Sequence, residues 1–262
     1  MVFLEVLENQ FYDFILIFAR TSAIVAFAPL FGAKNIPTAA KALIAFSLSL
    51  VFTGILSPLD VARTENSLAL MMQIAGEATI GAAVGFAASI IFEVIIFAGY
   101  IIDYMIGFGF INIVDPQSGA SISLFAFFYS FFGLLLFLSV DAHHILIEVM
   151  VRGYELIPPF DLAMHEQSLH YFIRLTSAIF YTGFQISGPI FIVMFMIDFT
   201  LGMISKTVPQ LQILVVGFPI KISLGLIAIS VALRPMSNFI ISLLEPYRDS
   251  LLWLMKYMGG GQ

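Results

Sequence analysis

Long apolar stretches separated by short polar connections make up most of this chain. The pattern predicts helices, because the stretches are longer than strands and nearly free of charge. A helix that crosses the ~30 Å hydrocarbon core of a bilayer needs about 20 apolar residues, and by that measure the chain holds about five or six spans. The predicted apolar segments are Phe14–Phe31, Ala42–Leu59, Leu68–Ile102, Leu124–Val140, Leu175–Ile197 and Ile213–Leu233.

The stretch Met105–Ser123, MIGFGFINIVDPQSGASIS, interrupts this pattern near the middle of the chain. Gly107 and Gly109 permit backbone conformations that other residues resist, and Pro116 disfavours helix at Asp115. Irregular backbone in a membrane protein is tolerated only where protein buries it or where it lines a watery cavity. We therefore predict a bendable central segment with a gating role. The alternative is an ordinary packed loop between two helices.

Prolines recur in the last third of the chain, at Pro189, Pro209, Pro219 and Pro235. We expect them to break or kink helices, and we expect a further break where Gly183 and Gly188 precede Pro189. Discontinuous helices are typical of transporters.

Composition places the chain in the membrane class. It has 262 residues, of which 60% are hydrophobic and 11% are charged, whereas soluble domains carry about 25% charge. The absence of cysteine excludes disulfides and cysteine-ligated metal sites. A net charge of −6 leaves no basic face for nucleic acid. Because the first ten residues hold no Lys or Arg, we expect no cleaved signal peptide.

Several charged residues lie within or against the apolar stretches, where each costs about 2.5–3.5 kcal/mol on insertion scales. We interpret them as charges that pair between helices or with a partner subunit. A proton or ion relay is the alternative, although Glu77 and Glu93 are too far apart in sequence to act as a dyad. The residues concerned are Arg20, Glu77, Glu93, Asp103, Asp198 and Lys221.

Two further patterns have a structural and a chemical interpretation. His143 and His144 beside Asp141 suggest a metal site. Adjacent side chains on a helix point about 100° apart, however, and this favours a role at a helix boundary. Gly81 and Gly85 form a small-xxx-small pattern that predicts close helix packing. The sequence contains no catalytic triad spacing, phosphate loop or HExxH motif. We therefore expect no enzyme activity, no cofactor and no metal.

An ordered set of short motifs resembles the FliR family of flagellar biosynthetic proteins, whose counterpart in injectisomes is the T-type export apparatus protein. The resemblance covers nearly the whole chain, and the residues that make up the motifs favour the flagellar system. The motifs are Arg20, Ala28–Gly32, Ile36–Pro37, Lys41, Gly107–Phe110, Asp115–Gly119, Val140–His144, Leu156–Pro158, Val208–Ile213 and Val216–Lys221.

The resemblance implies an all-α subunit of the type III export gate in the bacterial inner membrane. It implies assembly with FliP-type and FliQ-type subunits into a closed helical cone, which is partly raised to the periplasmic side of the flagellar basal body. FlhB-type and FlhA-type subunits, membrane lipid and unfolded export substrates are the other expected partners. Residues 1–140 would form a P-like half, and residues 141–262 a second half that ends in a Q-like helical hairpin. An ion-coupled secondary transporter using Glu77, Asp198 and Lys221 is the alternative.

The resemblance also maps a pore-occluding plug onto the central segment. In that interpretation glycines provide the flexibility to withdraw the plug, and apolar side chains form the stopper. The predicted plug and gate residues are Ile106, Gly107, Phe108, Gly109, Phe110, Ile111, Ile113, Val114, Asp115 and Pro116.

Overall fold

The computed structural model describes residues 2–29, 36–59, 63–64, 66–108, 123–159, 166–208 and 213–259. Within these ranges the chain is helical and contains no strand, which confirms the predicted all-α class. The helices are α1 (Val2–Phe27), α2 (Thr38–Leu56), α3 (Ser67–Ile106), α4 (Leu124–Ser139), α5 (Ala142–Leu156), α6 (Glu166–Thr207), α7 (Ile213–Leu244) and α8 (Tyr247–Met258).

The number of apolar helices agrees with the number of predicted spans. Among the described residues, five helical stretches are long and apolar enough to cross a membrane, or six if the bent pair α4 and α5 counts as one span. Helices α3 and α6 contain 40 and 42 residues. At ~1.5 Å per residue each measures about 60 Å, roughly twice the thickness of a hydrocarbon core. Both helices can therefore extend well beyond the bilayer interior.

Of the prolines in the described ranges, three lie inside helices. Helix α6 continues through Gly183 and Pro189, and α7 continues through Pro219 and Pro235. The predicted helix break at Gly183–Pro189 is therefore wrong. A proline removes one backbone hydrogen bond, and a helix of this length keeps the bonds on either side of it. Pro209 lies outside the described residues.

The chain forms two compact units. The first contains Met1–Ile90, Asp141–Thr176 and Glu245–Gln262, and the second contains Ile91–Val140 and Ser177–Leu244. Each unit thus draws on both sides of the predicted boundary at residue 140. The division into a P-like and a Q-like half concerns resemblance to partner subunits, and it stays a prediction.

Close contact between α1 and α3 organises the first unit. A Cβ atom added at Gly81 would lie 2.3 Å from the carbonyl oxygen of Arg20, and one added at Gly85 would lie 2.9 Å from the carbonyl oxygen of Ile24. The two backbones therefore meet where the small-xxx-small pattern lies, at a separation that only glycine permits. The ring of Phe14 in α1 also packs edge-on against Phe46 of α2 at 5.5 Å.

A buried apolar core holds the second unit together. It combines residues of α3, α4, α6 and α7, including Ile102, Tyr129, Ile190 and Ile240. Helices α3 and α4 approach closely, because a Cβ atom at Gly99 would lie 2.5 Å from the Cα atom of Ala126. This contact brings the end of α3 beside the start of α4, at the two flanks of the predicted plug.

Candidate functional site

The flanks of the central segment are joined by a buried carboxylate. Asp103, near the end of α3, is 4% exposed and accepts a hydrogen bond from the backbone N–H of Phe125 at 3.3 Å. Ser123 also caps the start of α4, because its hydroxyl accepts a hydrogen bond from the backbone N–H of Ala126 at 3.0 Å. First-turn N–H groups have no partner inside their own helix, and a negative charge is favourable there. Asp103 is therefore a cap for α4 that α3 supplies.

Gly107 ends α3 in a conformation that suits glycine. Its φ is +101°, a region that residues with a side chain rarely adopt, and its N–H donates to the carbonyl oxygen of Asp103 at 3.1 Å. A Cβ atom at this position would lie 2.9 Å from the ring of Phe218. Both the backbone conformation and the lack of space therefore require glycine here.

Two apolar side chains fix the same flank. Ile106 is fully buried, and a Cβ atom added at Gly225 of α7 would lie 2.8 Å from it. The ring of Phe108 packs edge-on against Phe125 of α4 at 5.7 Å. These contacts place Ile106 and Phe108 in the base of the segment, where they hold its flanks against α4 and α7.

The remaining predicted plug residues lie outside the described residues. The described residues on either side of this gap lie near one another, because Asp103 accepts a hydrogen bond from the N–H of Phe125. The predicted residues concerned are Gly109, Phe110, Ile111, Ile113, Val114, Asp115 and Pro116.

A second site, in the first unit, is a fully buried ion pair between α1 and α3. Nε of Arg20 lies 2.6 Å from Oε2 of Glu77, and Nη2 lies 3.2 Å from Oε1. Both side chains are 0% exposed. The two residues are 57 positions apart in sequence, so the structure brings together two of the charges that the sequence marked as expensive.

The remaining N–H groups of Arg20 are also satisfied. Nη1 donates to the carbonyl oxygens of Gly153 and Ile157 at 3.2 and 3.0 Å, and Nη2 donates to that of Ile157 at 3.1 Å. The guanidinium also lies 4.1 Å from the ring centre of Tyr154. Because arginine does not lose its proton in proteins, this arrangement suits a structural link of α1, α3 and α5 better than a proton relay.

The other marked charges have different environments. Lys221 of α7 and Asp198 of α6 pair at 2.8 Å, with side chains 18% and 45% exposed. Glu93 is exposed, together with Phe86 and Tyr100. These positions recur every seven residues, and so lie on one face of α3. Its exposure is compatible with the predicted pairing with a partner subunit, which stays a prediction.

Within the described part of the chain, three residues could hold a metal ion. The ligand atoms of Asp141, His143 and His144 all lie within 4.8 Å of one another, and Nδ1 of His144 lies 3.6 Å from Oδ1 of Asp141. Imidazole and carboxylate donors suit zinc. Adjacent side chains on a helix are expected to point apart, yet the ring centres of His143 and His144 lie only 4.1 Å apart. Exposed groups of this kind are common in proteins without a bound metal, so this geometry alone does not assign a metal ion to the three residues.

Sequence reasoning missed two buried residues. Tyr154 contacts the Arg20 guanidinium, although nothing in its sequence context indicates this. The carboxylate of Asp13 is fully buried and accepts from the Ser57 hydroxyl at 2.8 Å and from the Leu59 N–H at 3.2 Å. The position of Asp13 just ahead of an apolar run is a signal that could have identified it.

Known proteins resemble this chain over most of its length. The profile of Bacterial export proteins, family 1, matches residues 11–246. The flagellar biosynthetic protein FliR of Bacillus subtilis (strain 168) is 33% identical over 229 residues, which cover 86% of this chain and 87% of that protein. FliR of Escherichia coli (strain K12) is 27% identical over 217 residues, covering 83% and 82%. FliR of Caulobacter vibrioides is 26% identical over 246 residues, covering 92% and 95%. This chain therefore belongs to the FliR family of bacterial export proteins.

Proposed function

We propose that this chain is a core structural subunit of the flagellar protein export gate in the bacterial inner membrane. In this proposal it assembles with P-type and Q-type subunits around a closed pore for unfolded proteins, next to B-type and A-type subunits. Two findings support it: the chain belongs to a family of flagellar export proteins, and its apolar helices fit a membrane location.

The central segment is the plug of that pore. The observation that carries this proposal is the joined base of the segment, where Asp103 of α3 caps the first turn of α4. A plug must move without unravelling the helices that carry it. The contacts of Asp103, Gly107 and Ser123 supply such a fixed base on both flanks.

Exposed apolar surface supports assembly with other subunits. A groove of about 870 Å³ between α6 and α7 is lined almost entirely by apolar side chains, including Ile192, Met196, Leu224 and Val231. Surfaces of this kind are typical of interaction sites. We place the Q-type neighbour against this groove between α6 and α7.

The charged residues suggested for an ion-coupled transporter already form ion pairs within the chain. An ion-coupled site needs charged groups that can bind and release a proton or an ion. Glu77 is held by the guanidinium of Arg20, and Asp198 is paired with Lys221. Each of the acids proposed for transport thus already has a cationic partner.

Co-purification tests the gate proposal. The tagged full chain would be co-expressed with the P-type and Q-type subunits of the same genome, and an unrelated membrane protein with the same tag would serve as control. We expect a stable hetero-oligomer that contains all three proteins. Recovery of this chain only as a monomer would contradict the proposal.

A further inference from the structure

Five exposed positions of α3 recur every seven residues and lie on one face of the helix, which we call the exposed stripe. They are Met72, Thr79, Phe86, Glu93 and Tyr100. A repeat of seven residues is the spacing at which one helix presents side chains to a second helix that crosses it at about 20°. The exposed stripe therefore has the geometry of a seam for a partner helix.

Glu93 is the one charged residue that α3 exposes. The other two acids of this helix, Glu77 and Asp103, are buried, and α3 contains no Lys or Arg. No ion pair within the described residues includes Glu93. Its carboxylate therefore lies on the surface of an apolar helix without a cation beside it.

An aromatic group lies one helical turn from Glu93. The ring of Phe97 packs edge-on against Phe180 and Phe184 of α6, at 5.3 and 5.9 Å. A Cβ atom at Gly183 would lie 2.5 Å from the Phe97 ring, so α6 approaches α3 closely at this point. Phe180 and Phe184 are nevertheless 59% and 53% exposed. A carboxylate and an exposed aromatic surface thus lie side by side.

Neither water nor lipid suits this whole surface. Exposed apolar rings are unfavourable in water and typical of interaction sites, whereas the carboxylate of Glu93 is costly in hydrocarbon. A helix that carries a cation satisfies both groups. A second copy of α3 cannot provide it, because α3 has no Lys or Arg. Arginine suits the surface better than lysine, since its guanidinium binds a carboxylate through two hydrogen bonds and also stacks on aromatic rings.

We propose that the exposed stripe binds one helix of a neighbouring gate subunit, and that an arginine of this helix pairs with Glu93 and lies against Phe97, Phe180 and Phe184. The inference rests on the proposed gate function, because it takes the helix from one of the gate subunits. It adds the surface that is used and the side chain that binds there.

Photo-crosslinking identifies what covers the exposed stripe. Benzoylphenylalanine replaces Tyr100 in the tagged full chain, which is expressed with the P-type and Q-type subunits of the same genome and irradiated in intact membranes. We expect a cross-link to a helix of one of these subunits, with an arginine about two turns from the cross-linked residue. Cross-links to lipid alone, to a second copy of this chain or to a segment without arginine would overturn the proposal, and so would the absence of any cross-link.

Charge reversal tests the ion pair. Glu93→Arg places two cations opposite each other and should lower the yield of the co-purified complex at least about tenfold. The control Glu155→Arg reverses an exposed glutamate of α5 and should leave the yield unchanged. Exchange of the partner arginine for glutamate should restore the yield of Glu93→Arg. A yield equal to that of the wild type, or no recovery after the exchange, would contradict the pair.

A second variant tests the aromatic rings. Phe180→Leu keeps an apolar side chain but removes the ring, and should lower the yield of the complex. Tyr181→Leu is the matched control on the same helix, because Tyr181 is exposed and its ring lies outside the aromatic group. Equal yields for the two variants would contradict the part given to the rings.

The wild-type chain separates failure of this inference from failure of the gate function. A wild-type chain that recovers neither subunit would contradict the gate function, and the inference with it. A complex that forms equally well with the wild type and with Glu93→Arg would contradict the inference alone. Because Glu93 is exposed, the unfolding midpoint of purified Glu93→Arg should equal that of the wild type, which shows that a lost complex does not reflect a misfolded chain.

Discussion

Single buried charges join parts of the chain that are distant in sequence. The sequence identified Arg20 and Glu77 as expensive in an apolar setting, but it could not predict that they pair. Their pairing depends on the packing of α1 against α3, and the carbonyl oxygens of Gly153 and Ile157 complete it. No periodic pattern reports contacts between residues so far apart. Asp103 was identified in the same way, and its role as a cap for α4 became apparent only from the structure.

Loss of the Glu77 carboxylate should strongly destabilise the chain. Removing one partner of a buried ion pair leaves an uncompensated charge, which costs about 3–5 kcal/mol. We expect a lower midpoint of thermal unfolding for purified Glu77→Ala. Glu93→Ala is the matched control, because it removes an exposed glutamate from the same helix, and its midpoint should equal that of the wild type. Equal midpoints for the two variants would contradict the assigned role of the pair.

Asp103 should control how firmly the base of the proposed plug is held. Asp103→Ala removes a helix cap, a loss of about 1 kcal/mol, and should increase the leakage of small solutes through the assembled complex. Asp103→Asn keeps an acceptor oxygen and should leak less than the alanine variant. The measurement is solute efflux from vesicles that contain the complex. If complexes with the alanine and asparagine variants leaked no more solute than the wild-type complex, the cap would not restrain the proposed plug.

Helices were more predictable than their ends and interruptions. Hydropathy alone predicted Leu124–Val140, and α4 covers Leu124–Ser139. The same reasoning predicted a break or a kink at Pro189, and α6 continues there without a break. It also missed α8, whose mixed polar and apolar residues form an amphipathic helix packed on α5. A proline penalty of about 3 kcal/mol is local, whereas packing along a helix of 42 residues is not.

Glycine variants should separate helix packing from helix propensity. In Gly81→Ala the new Cβ atom would meet the carbonyl oxygen of Arg20 at 2.3 Å, so α1 and α3 must move apart. We expect a lower unfolding midpoint. Gly76→Ala is the matched control on the same helix, since its Cβ position has no described atom within 4 Å apart from its chain neighbours and the backbone of its own helix. It should stabilise the helix by up to about 1 kcal/mol. A Gly81→Ala variant as stable as Gly76→Ala would contradict the close packing.

The pair between α6 and α7 should matter more for assembly than for the isolated chain. A partly exposed ion pair contributes about 0–1 kcal/mol, so Asp198→Ala or Lys221→Ala should barely change the unfolding midpoint. In the proposed gate we expect the same charges to become desolvated, where an unpaired one is costly. We expect reduced yield of the purified complex from either variant and recovery in the double variant Asp198→Lys, Lys221→Asp. Normal yield combined with lost export would point to gating instead.

The whole molecule combines features that composition predicted with others that only the three-dimensional packing determines. Composition and hydropathy predicted a membrane-class, all-α chain, and the ordered motifs predicted its family. The two compact units could not be predicted, because α3 and α6 each contribute to both of them. A helix that is continuous in sequence carries no mark at the residue where its packing partners change.

Solute permeability of a plug-deleted complex tests the central claim most directly. A short Gly–Ser linker would replace residues 109–122, and it can join Phe108 to Ser123 because their helices are in contact at Asp103 and Phe125. We predict that the complex still assembles with P-type and Q-type subunits, as measured by co-purification, and that vesicles containing it release small solutes that the wild-type complex retains. A correctly assembled deletion complex with the permeability of the wild type would contradict the account.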